Sequence, residues 1–342
     1  MKKVGAFSKR KRKIKNTVPS PIRNWCDRTV SAIRIFFRQP NPLPNNVLLS
    51  ASHGSARIPV RIIHHLSVYY QTSPRLWLNY SDYGTKFLLE DIDTNQKAIP
   101  KYGRIVGDPN RDPSAPDLIR FTDFGENRIF SELFERRLTR SILRFFWRRK
   151  LLNYSYNPFY KQIYKKLEQI VKNQGESRAP IVFIDVHDVG NRLLGRWRRE
   201  DTERKEKFPK VMIANAPDLE TGQNRFGTAP DYFVDFFAEV LADKLGLKKN
   251  EVKINHVYKG GNIIRHFGNP YHNAQLRRIL KGREIFALQL EFNRAFYLNE
   301  VNQIRNRAKV KLVKNALMNT LNQVCDFERD VLKKTSSLDD TH

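Results

Sequence analysis

Residues 179–188, APIVFIDVHD, are apolar almost to the end of the run and show no polar–apolar alternation. A strand of that kind is buried on both faces, as in a mainly parallel sheet covered by helices on either side. Other segments meet the same condition. Residues 46–52 (NVLLSAS), PKVMIANA, EVKINHVY and EIFALQLEF read as further strands, and GRIVGD as a short one leading into the loop PNRDPSAPD. Between them, apolar side chains at helical spacing predict a helix starting near Ser81 or Asp82, then helices over 128–152, 158–173, YFVDFFAEVLADKLGL and NAQLRRIL. A last helix is expected from 302 to about 332. The fold class is therefore α/β, three layers α/β/α around one mixed, mainly parallel sheet, with no internal repeat.

Charge divides the chain. It carries 62 Lys+Arg against 35 Asp+Glu, a formal +27, and residues 1–40 hold twelve of the basic residues and a single acid, Asp27. The expected organisation is a basic extension over 1–40, kept open by repulsion and ended by QPNPLPNN, one domain over 41–332, and a polar tail over 333–342. Such a charge favours anionic partners: an acidic substrate, an anionic surface, or nucleic acid met through residues 1–40. The runs FFWRRK (145–150) and GRWRRE (195–200) interleave aromatics with arginine, which suits phosphate contact or a solvated helix face equally. Two cysteines, Cys26 and Cys325, give neither a disulfide framework nor a cysteine zinc motif, so a reducing, cytoplasmic setting is expected. No apolar run approaches the roughly 20 residues of a membrane span, and no apolar segment follows the basic start as in a secretory signal.

In sheets of this type ligands bind where the carboxyl ends of strands meet loops, and those ends carry reactive side chains here. His53 follows the first strand in SASHGSARIP. Asp185 and His187 lie two apart at the end of IVFIDVHD and share a face. Gln289, Glu291 and Asn293 share a face of ALQLEFNR that would otherwise be apolar. Asn110 and Arg111 follow GRIVGD. Neutral imidazoles with a carboxylate suit a divalent ion such as zinc, and Asp185 can orient His187 or cap the strand end. Each residue also has a plainer reading. A lone histidine is commonly a hydrogen-bonded core residue, Asp82 can cap a helix, Arg111 can be a surface arginine, Glu291 an ion-pair partner, and Gly260-Gly261 a turn.

Taken in order, SASHGSARIP, SDYGTKFLL, GRIVGDPNRDP, FIDVHD, YKGGNIIRHFGNP and ALQLEFNRAFYLNE resemble the N-formylglutamate amidohydrolases over about residues 46–301. More distantly they are similar to zinc carboxypeptidases and to the aspartoacylase/succinylglutamate desuccinylase group. The resemblance implies a zinc-carboxypeptidase-like (phosphorylase/hydrolase-like) fold and an enzyme that cleaves a linear amide bond with one Zn²⁺ per chain. It implies His53, His187 and Asp82 as metal ligands, Asp82 standing in for the carboxylate that carboxypeptidases place three residues after the first histidine, where this chain has Ala56. Glu291 then becomes the general base, Asn110 and Arg111, helped by Arg104, the holders of the substrate carboxylate, and Gly260, Gly261 and Asn262 a loop near the substrate. Asp188 departs from the serine common after the Asp-x-His triplet and adds a negative charge beside the metal. The rival expectation is a protein that binds nucleic acid or an anionic surface and keeps a degenerate hydrolase site.

Overall fold

The computed structural model describes residues 42–193, 202–204, 207–217 and 227–339. Its central sheet has six strands: β1 (Val47–Ser50), β2 (Lys97–Ala98), β3 (Ile181–Val189), β4 (Val211–Ala214), β5 (Val252–Ile254) and β6 (Ile285–Asn293). They stand in the order β2-β1-β3-β6-β4-β5. All neighbours run parallel except β4 and β6, which are antiparallel. The helices that matter below are α1 (Glu132–Thr139), α2 (Ser141–Tyr154), α3 (Tyr156–Gln174), α4 (Asp231–Leu245), α5 (Asn262–Phe267), α6 (Ala274–Leu280) and α7 (Arg307–Asp339).

The period-2 geometry of a strand sorts the two long central strands onto two faces. Val182, Ile184 and Val186 of β3, with Leu288, Leu290 and Phe292 of β6, pack against α4 and α7 through Phe233, Phe237, Val313, Leu317 and Leu321. Ile181 and Phe183, with Ile285 and Ala287, pack against α3, α5 and α6 through Phe159, Ile163, Ile264, Phe267 and Leu276. The α/β class with helices on both faces follows from those two clusters. On the second face the apolar series stops halfway along. Asp185 and His187 continue it on β3, and Gln289, Glu291 and Asn293 on β6, all buried. A buried Leu or Phe there would stabilise the fold by about 1.5–3 kcal/mol. Five polar residues in a row on one buried face forgo that, which marks the carboxyl end of the sheet as the place where function outweighs packing.

Several local expectations change. GRIVGD is not a strand: Ile105 and Val106 are buried in turns, in a third cluster with Ile58, Tyr70, Tyr80 and Phe130, and the edge strand beside β1 is the two-residue β2 instead. The helix expected over 128–152 is two helices, because Arg140 adopts an extended backbone (φ −71°, ψ 127°) between α1 and α2. No helix starts at Asp82. That residue lies in a turn between short helices Pro74–Tyr80 and Thr85–Leu88, and the second has Gly84 before it with no side-chain cap. The last helix runs Arg307–Asp339, so it begins after and ends beyond the expected bounds and takes up most of the expected tail. The basic extension 1–40 and the run GRWRRE lie outside the described residues. Among the described residues no helix is long and apolar enough to cross a membrane.

Candidate active site

Register across the two central strands builds the floor of the site. β3 and β6 pair Asp185 with Gln289 and His187 with Glu291, and β1 brings Ser50 opposite Asp185. Ser50 Oγ donates to Asp185 Oδ1 at 2.5 Å and Ser52 Oγ to Asp185 Oδ2 at 2.9 Å. So fixed, Asp185 Oδ2 meets His187 Nε2 at 2.7 Å. His53, on the turn after β1, is held in the same manner: its Nε2 lies 2.6 Å from Asp108 Oδ1, and Asp108 Oδ2 is ion-paired with Arg104.

Each ring faces a carboxylate at both nitrogens; with the N–H on Nε2, as in a metal-bound histidine whose far nitrogen is held by a carboxylate, both Nδ1 lone pairs point inward. They converge on Asp82 Oδ2, at 3.2 Å from His53 and 2.9 Å from His187. One donor atom from each of His53, Asp82 and His187 lies within 4.8 Å of the others, and all three residues are buried. Three lone-pair donors pointed at one another repel unless protons or a cation sit among them. The donor set therefore fits a divalent ion, and the burial pattern excludes water from its inner side.

In the metal-free site a proton on His187 offsets the carboxylates around it. Burial raises the Asp82 carboxyl, yet His53 and His187 outweigh it and hold Asp82 well below the usual carboxylate range. Burial lowers the His187 imidazole, but Asp185 and Glu291 overcome that and push it above its ordinary value. Glu291 is shifted up to about 7, burial prevailing over the pull of His187. Gln289 Nε2 donates to Glu291 Oε1 at 2.8 Å, and the Gly261 N–H donates to Gln289 Oε1 at 2.8 Å, so the glutamate is oriented through β6 to the loop before α5.

A cavity of about 430 Å³ opens over this floor, lined by His53, Asp82, His187, Glu291, Arg104 and Asn110 among others. Arg104 is buried, lies over the Tyr80 ring at 5.1 Å, and keeps an Nε that has no hydrogen-bond partner among the described residues. Arg111 stands at the rim, its side chain 43% exposed and 3.4 Å from Asp117. Asn110 faces inward, its Oδ1 accepting from the Ile263 N–H at 3.0 Å. Gly260 and Gly261 line the wall, and Gly261 is there for room: a Cβ would fall 2.2 Å from Asn110 Oδ1. The Gly261 N–H is already spent on Gln289. Asn262 does not line the cavity; its Nδ2 donates to Tyr160 OH at 2.7 Å.

Asp188 sits on the opposite face of β3 from His187. Its Oδ1 accepts from Arg294 Nε at 2.6 Å and its Oδ2 from Tyr297 OH at 2.6 Å, so both oxygens are engaged away from the histidines. Arg294 also donates to Asn79 O at 3.1 Å and Ser81 O at 3.0 Å, clamping the turn that carries Asp82. Asp108, Arg294, Ser50 and Ser52 were not singled out from the sequence. The signal available was position alone: the serines precede His53 on the strand, Asp108 precedes Asn110, and Arg294 follows the Glu291 motif.

Comparison with known proteins bears on this arrangement. A sequence-family profile described as N-formylglutamate amidohydrolase matches residues 45–298, most of the chain and every residue of the site. The chain belongs to that family. As a member of the N-formylglutamate amidohydrolase family it is an amide-bond hydrolase. Its fold is similar to the crystal structure of N-formylglutamate amidohydrolase from Ralstonia eutropha JMP134, with a TM-score of 0.56 at 19% identity over 85% of this chain and 96% of that one. A gene product of Agrobacterium tumefaciens aligns with a TM-score of 0.46 at 16% identity, over 84% and 95% of the two chains. No curated protein sequence matches the chain.

Proposed function

We propose that this family member hydrolyses the amide bond of an N-formyl or N-acyl acidic amino acid, or of a related anionic amide, and that it holds one zinc ion per chain on His53, His187 and Asp82. The observation that carries the reading is the convergence at Asp82 Oδ2 of two imidazole Nδ1 atoms, each ring fastened at its far nitrogen by another carboxylate. Two nitrogens and one oxygen suit zinc and leave a position open for the reaction. Bound there, zinc supplies Lewis-acid polarisation of the amide carbonyl and a more acidic water.

The remaining work falls to side chains. Glu291, which burial lifts to about 7 in the metal-free site, acts in its ionised form: it takes a proton from the attacking water and returns it to the leaving nitrogen. The C–N bond breaks to give a carboxylate and a free amine. Arg111 offers its planar fork to the substrate carboxylate at the cavity rim. Arg104, fixed on Asp108, turns its unpartnered Nε to a second oxygen, and Asn110 is set by the Gly260–Gly261 loop to add a donor. Asn262 acts from outside the cavity by anchoring that loop to Tyr160. Asp185 orients His187, and Asp188 holds the arginine that clamps the Asp82 turn. The complete donor set argues against a degenerate site.

Purified protein should contain about one zinc per chain and hydrolyse at least one of a panel of N-formyl, N-acetyl and N-succinyl derivatives of glutamate and aspartate. Glu291→Gln should keep the zinc and lose about 100-fold or more in kcat. Hydrolysis that persists both in chelator and in Glu291→Gln, or a chain that takes up no divalent ion, overturns the reading.

A further inference from the structure

Residues 136–167 contain ten Lys/Arg and neither Asp nor Glu. Helix α2 runs through the middle of this stretch, and its inner side is fully occupied. Leu151 is buried, Trp147 meets the rings of His65 and Phe134 edge-on at 5.0 and 4.7 Å, and Arg148 donates to Ala115 O at 2.9 Å, tying the helix to the loop that carries Arg111. The outer side is different. At the helical advance per residue, Phe145, Phe146, Arg149 and Lys150 fall on one outward arc. Phe145 and Phe146 are each 63% exposed, with Leu143 at 38% beside them and Leu133 of α1 at 64%.

Two adjacent phenylalanines left largely in water are costly to the fold, and an exposed apolar patch within a cationic field marks a contact surface. We propose that the outer face of α2 docks on the surface of an anionic lipid bilayer. The rings stand on the outward side of the helix and pack edge-on against each other at 5.9 Å. That geometry suits a wedge into the boundary between headgroups and acyl chains, with Arg149 and Lys150 alongside for headgroup phosphates. Single-stranded nucleic acid is instead held in grooves that track several nucleotides along stacking aromatics, whereas the hollow beside Phe146, lined by Arg149, Lys150, Asn153 and Tyr154, lies within a single helix. No described helix is suited to crossing, so the contact is with the surface.

The test is sedimentation of the full chain with vesicles of phosphatidylcholine alone and of phosphatidylcholine with phosphatidylserine. Binding is expected only to the second, weakening as salt rises. Phe145→Ser/Phe146→Ser and Arg149→Glu/Lys150→Glu should each reduce it about tenfold or more, with the thermal midpoint unchanged. Double variants that bind as tightly as wild type overturn the proposal. So does a chain that is dimeric until the phenylalanines are replaced, or one that these same residues bind to RNA in preference to vesicles.

Discussion

Asp108 serves two partners with one carboxylate, His53 through Oδ1 and Arg104 through Oδ2. Burial acts to raise its pKa, but Arg104 and His53 outweigh that and hold it well below the usual range. Asp108→Asn removes the charge that compensates a buried guanidinium and loosens His53 at once. The metal-free variant should lose about 3 kcal/mol of stability near neutral pH, and zinc affinity should fall about 10–100-fold. The sign of the pH effect follows from the depressed pKa. Asp108 contributes fully above the unfolded value of 3.8 and progressively less as pH falls towards its folded value. Urea midpoints of wild type and variant should therefore draw together on acidification; a gap that widens contradicts the assignment. Residue by residue, His53, Asp185, His187 and Glu291 stood out in the sequence because each interrupts or ends an apolar strand. Asp108 and Arg294 did not, since a charge in a polar loop of a chain with 62 Lys+Arg offers no contrast. Only the tertiary structure buries them.

Among the elements, β3 and β6 were legible because nine residues with both faces buried leave a long apolar run. The two residues of β2 leave none, and the apolar pair Ile105-Val106, read as strand, is buried by turns into a neighbouring cluster. The antiparallel course of β4 against β6 depends on how the chain returns to the sheet, which apolar patterning does not encode. The loop before α5 shows what a single backbone position contributes to the site. Gly261 packs on the Asn110 side chain and donates its N–H to Gln289, the residue that orients Glu291. In Gly261→Ala the new Cβ would lie 2.2–2.4 Å from the Asn110 amide group, so Asn110 must move. Misplacement on that scale costs up to about 100-fold in kcat/KM. Zinc content should stay at the wild-type level, because none of the three donor residues touches Gly261. Loss of zinc together with activity would mean that the loop supports the metal instead.

Across the whole molecule, the +27 charge is uneven in its effect on the site. Among the described residues six cations line the cavity: Arg104, Arg111, Arg192, Arg204, Lys259 and Arg294. Four have carboxylate partners: Arg104 with Asp108, Arg294 with Asp188, Arg192 with Glu203 at 3.3 Å and Arg111 with Asp117 at 3.4 Å. Arg204 instead lies over the Phe208 ring at 5.2 Å and donates to Gly190 O. Pairing removes local charge but leaves the long-range field of the surplus basic residues, and that field acts on an anionic substrate before contact and on binding at the rim. It is screened once the Debye length falls below about 10 Å, near 0.1 M salt. The chemical step is shielded differently, since Glu291, His53, His187 and Asp82 are all buried. For an N-acyl acidic amino acid, kcat/KM should therefore fall several-fold from about 0.01 to 0.15 M salt while kcat stays within about twofold. An uncharged amide analogue should show no such slope. If kcat falls in step with kcat/KM, salt is acting on the buried site or on folding, and the surplus positive charge has no part in drawing the substrate in.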